Sequence, residues 1–65
     1  MILTLDNLPT AAELTDPRLA IQFAIGLEAI GGMPTLFLQD WLDGKDLETY
    51  WLVNLREDLA LDLAA

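Results

Sequence analysis

The stretch DWLDGKDLE sets Asp40, Asp43, Asp46 and Glu48 close together, and clustered carboxylates are the usual ligands of calcium. Their spacing does not suit the ion. A calcium loop of the EF-hand type carries oxygen ligands at its first, third and fifth positions and glycine at its sixth. Counting from Asp40 places Leu42 third and Gly44 fifth. Helix-end chemistry accounts for the cluster better, because Asp46 and Glu48 stand at a helix start, where the helix dipole favours negative charge. No metal is expected.

Paired carboxylates can also move protons, provided a cleft pushes one of them toward neutrality. A 65-residue chain offers little depth for such a cleft, and this one has no Ser, Cys or His. The common nucleophiles and the common general base are therefore missing, which leaves threonine hydroxyls, Tyr50, Lys45 and the acids. There is no glycine-rich phosphate loop and no dinucleotide fingerprint. The reading is a non-enzyme without a cofactor.

What must position these residues is a single domain spanning residues 1–65. A domain of this size buries only about 60% of the surface its unfolded chain exposes. Natural chains this short lean on disulfides, a metal or a partner subunit. The absence of Cys and His removes the first two, while 54% of the residues are hydrophobic, more apolar material than one thin core can cover. Self-association or docking on another protein is the remaining support.

Eleven acids face only Arg18, Lys45 and Arg56, for a net charge of −8. That balance argues against direct binding to nucleic acid phosphates or to anionic lipid. No basic region precedes the apolar MILTL, whose first charged neighbour is Asp6, so a cytoplasmic rather than secreted protein is expected. The segment Leu19 to Leu38 has the length of a membrane span, but Glu28, Gly31-Gly32 and Pro34 interrupt it where lipid demands a continuous helix.

Helix punctuation is clear. Thr10 stands three residues before Glu13, a capping-box spacing that predicts a helical turn from Ala11 to about Thr15. Asp16-Pro17 reads as an N-cap followed by a proline in the first helical position, opening a helix from Pro17 to Ile30 that stops at Gly31. A short helix follows from about Pro34 to Asp43 with Gly44 as its stop, and Asp46 caps a third from Leu47 to about Leu63. MILTL is read as an extended arm. The fold class is thus all-α, a small three-helix domain with two longer helices, a short one between them and an N-terminal arm, assembled as an oligomer.

On a helical wheel Leu19, Phe23, Leu27 and Ile30 form a core stripe with Ala20 and Ala24 beside it. Ile21 and Ile25 point away from it. In the third helix Leu47, Trp51, Leu52, Leu55, Leu59 and Leu63 face the core, while Tyr50, Val53 and Leu61 fall elsewhere. The short helix offers Phe37, Leu38, Trp41 and Leu42 as a lid over the core, with Trp41 also a possible interface anchor. The expected contact residues are Ile21, Ile25, Trp41, Tyr50, Val53 and Leu61. The expected function is that of a small regulatory or adaptor protein, a homodimer or bound to another protein. An alternative is an acidic mimic of nucleic acid that occupies a basic groove, although Glu48, Asp58 and Asp62 are interleaved with leucines rather than set in a strip. The last three residues, Leu63-Ala64-Ala65, resemble the end of the bacterial tmRNA degradation tag; the resemblance implies a turnover signal, while the residues themselves read as an ordinary helix end.

Overall fold

Short-range hydrogen bonds fix the helix ends. In the computed structural model, which describes the backbone over residues 2–64 and side chains over residues 2–61, the Glu13 amide donates to Thr10 Oγ1 (3.1 Å) and the Thr10 amide to Glu13 Oε1 (3.0 Å). This reciprocal pair opens a 3-10 turn, Glu13–Thr15. Asp16 then accepts from the Arg18 amide at 2.9 Å, Pro17 occupies the first helical position, and α1 runs Pro17–Ala29. The second helix, α2, is Pro34–Leu42. A π-helical stretch, Glu48–Leu52, leads directly into α3, Val53–Ala64. No strand occurs among the described residues.

Both reversals between helices use the same device. Gly31 (φ +81°) follows α1 and Gly44 (φ +74°) follows α2. After α1 the Gly32 amide donates to the Leu27 carbonyl and the Gly31 amide to that of Glu28; after α2, Lys45 donates to Asp40 and Gly44 to Trp41. These are Schellman caps, in which a residue in the left-handed region lets the chain fold back over the helix end. A Cβ on Gly31 would meet no atom within 4 Å, so only the backbone opposes a side chain there. Gly31→Ala should lower stability by about 1 kcal/mol, read from the urea midpoint at unchanged m-value.

The core gathers Leu3, Leu14, Ala20, Phe23, Ala24, Leu27, Phe37, Leu47, Leu52 and Leu55. Its centre is a run of rings: Phe23 and Phe37 lie 4.7 Å apart between centroids, and Phe37 meets Trp51 edge-on at 5.4 Å. One residue from each of α1, α2 and the π-helical stretch is thereby joined. Over residues 2–10 the chain forms neither helix nor strand; Asn7 holds a turn by accepting from the Thr4 amide and donating to the Ile2 carbonyl, and Leu3 is buried.

The π-helical stretch goes with a particular packing of the leucines at its ends. On an α-helix Leu47 and Leu52 would sit about 140° apart, yet both are buried. Widening the turn, so that the Val53 amide reaches back to the Glu48 carbonyl, brings residues five apart onto one face. The third helix therefore begins near the expected residue with a different internal geometry.

Two apolar residues expected inside are outside. Ile30 is 43% exposed, because it is the C-cap of α1, where φ −101° and ψ 12° take its side chain off the helical stripe. Leu42 is exposed as well, since it ends α2 beyond the ring cluster. The side chain of Leu63 lies outside the described residues.

Candidate protein-binding surface

Both tryptophans are fastened inward. Trp41 is half-buried and its indole N–H donates to the Leu14 carbonyl, tying α2 to the 3-10 turn. Trp51 donates to Asp40 Oδ2 at 2.8 Å, tying the π-helical stretch to α2. Sequence reasoning placed Asp40 in a surface cluster and missed this role, because a contact between residues 40 and 51 across a reversal leaves no periodic trace. The side of Trp41 that packs is engaged by the core.

The other expected contact residues are all exposed. Ile21 and Ile25, each 56% exposed, lie one turn apart on the side of α1 opposite Ala20, Phe23 and Leu27. Their neighbours on that face are Arg18, Gln22, Glu28 and Ala29, also exposed. Tyr50, Val53 and Leu61 are exposed along the third helix, turned away from Leu52 and Leu55. The two groups point outward from one shared core, so they form two surfaces. Exposed Met33 and Leu36 at the start of α2 form a further apolar spot that short-window periodicity does not reveal.

A groove of about 300 Å³ opens between the C-terminal end of α1 and the third helix, floored by Leu27, Ile30, Trp51, Leu55 and Leu59. Ile30, turned off the core stripe, and the half-buried Leu59 both line it.

Many of the acids have local structural work. Asp16 and Asp46 cap helices, Glu13 completes the capping box, Asp40 holds Trp51, and Glu48 takes Arg56 in a two-pronged pair at 2.6 and 3.1 Å. Among the described residues no three acids gather in a way that could hold a metal ion. Among the described residues no helix is long and apolar enough to cross a membrane.

Among the described residues the titrations of Asp46 and Arg56 are displaced, both toward the charged form. Hydrogen bonds from the Thr49 hydroxyl and the Thr49 and Glu48 amides lower the pKa of Asp46, and the Glu48 carboxylate raises that of Arg56. A general acid or base for neutral pH needs the opposite displacement. Because the folded pKa of Asp46 lies below its unfolded value, its stabilising contribution is complete above the unfolded value and is lost as pH falls through the folded one. Asp46→Asn keeps a capping oxygen without the charge. Its thermal midpoint should lie below that of the wild type near neutrality and the two should converge as pH falls below about 4; a gap that acid does not narrow would refute this.

No family model matches the chain, and no curated protein or solved structure proved similar to it.

Proposed function

We propose that this chain is a non-catalytic regulatory or adaptor protein that works by protein–protein contact, as a homodimer. The observation that carries the reading is the position of Ile21 and Ile25: the core closes without them, and they stand in solvent on an ordered helix. Isolated exposed apolar residues need no explanation, but a pair one turn apart makes a stripe suited to another helix. Tyr50, Val53 and Leu61 offer a second surface on the third helix, and an adaptor needs two. Trp41 is left out of the contact face because its indole is committed to Leu14. The acids engaged in caps and in the Trp51 and Arg56 contacts favour this reading over a nucleic acid mimic, which requires a continuous strip of free carboxylates.

Gel filtration with light scattering from about 1 μM to about 1 mM tests it. The expected mass rises from 7.2 kDa toward twice that value as the concentration climbs. A constant monomer mass throughout would sink the homodimer.

A further inference from the structure

Charges on α1 stand at the wrong ends of their own helix. Arg18 is in its first turn, beside the positive end of the dipole, and Glu28 is in its last turn, beside the negative end. Neither has an ion-pair partner among the described residues, where the salt bridge found is Arg56 with Glu48. Both are exposed, on the face that carries Ile21 and Ile25.

The four positions are symmetric in height about residue 23. Ile21 and Ile25 lie two residues to either side, about 3 Å along the axis, and Arg18 and Glu28 five to either side, about 7.5 Å. A second α1 laid antiparallel across this face brings Ile21 level with the partner's Ile25, and Arg18 level with the partner's Glu28, twice over by the two-fold. It also moves each charge next to the helix end that favours it: Glu28 to the partner's N-terminus and Arg18 to the partner's C-terminus. A parallel pair would set arginine against arginine and glutamate against glutamate.

We infer that this chain pairs with a second copy through an antiparallel, two-fold α1–α1 contact, with Ile21 and Ile25 at its centre and Arg18–Glu28 ion pairs at both rims. The inference rests on the homodimer reading and specifies its face and direction. One α1 of about 20 Å presents less than a standard interface, so the pair is weak and its rims decide its register.

The test is sedimentation equilibrium to about 1 mM on the wild type and on Ile25→Glu, Arg18→Glu, Glu28→Arg and the Arg18→Glu/Glu28→Arg double variant, each checked by circular dichroism and thermal melting. Ile25→Glu should abolish the dimer. Each single charge reversal should weaken it by about tenfold or more, and the double variant should restore it. Since the reversed charges suit α1's own dipole, Arg18→Glu and Glu28→Arg should melt no lower than wild type while dimerising less, a combination that damage to the fold cannot produce. A dimer indifferent to these changes overturns the α1 face and leaves the homodimer standing. A dimer lost in the single reversals without recovery in the double variant overturns the antiparallel pairing. A wild type that is monomeric at every concentration overturns both.

Discussion

Phe37→Ala leaves the chain without a cooperative folded state at 25 °C. The ring is fully buried and touches Phe23 on α1 and Trp51 on the third helix, so truncation empties a place where three helical segments meet. Phenylalanine-to-alanine changes in a core cost about 3–5 kcal/mol, and each aromatic pair adds about 0.5–1.5 kcal/mol. A core of this size seldom supplies more than about 3–5 kcal/mol in total. The change therefore equals or exceeds the whole margin. Near-ultraviolet dichroism should vanish and the thermal transition lose its sigmoid form; a sharp melt within a few degrees of wild type would contradict the role given to this ring.

Trp41→Ala has the second-largest effect. It removes a half-buried indole and leaves the Leu14 carbonyl without its donor, detaching the 3-10 turn from α2. The loss should be about 2–4 kcal/mol, below the full range for a core aromatic because part of the ring is already in water. Trp41→Phe retains most of the packing and should cost about 1–2 kcal/mol, the penalty of an unmade hydrogen bond at a buried carbonyl. Under conditions where it is folded, Trp41→Phe should self-associate as the wild type does. A variant that kept full stability but lost association would return Trp41 to the contact face.

Helix ends were readable in this sequence because their causes are local. Thr10 with Glu13, Asp16 with Pro17, and Asp46 each act within three or four residues, and the φ-positive glycines 31 and 44 announce their reversals by identity alone. The all-helical architecture follows from them. What escaped was decided between elements. A wheel of constant pitch puts Ile30 in the core, but the cap geometry that ends α1 turns it out. The same wheel has no place for the wide turn that sets Leu47 and Leu52 together against the core.

The exposure of the candidate contact residues on α1 was legible to the same degree. Ile21 and Ile25 were separable from Phe23 and Leu27 by helical phase alone, and the structure places them outside. Trp41 and Trp51 were not separable, since nothing near either residue in the chain names Leu14 or Asp40 as its acceptor.

Those two indoles make the protein its own optical instrument. Each sits at a different seam, Trp41 between the 3-10 turn and α2, and Trp51 between α2 and the helix that follows. With one tryptophan replaced by phenylalanine, the emission of the other tracks a single joint as denaturant rises. Coincident red shifts would mean that the seams part together, and staggered ones would reveal which joint holds the molecule closed longest.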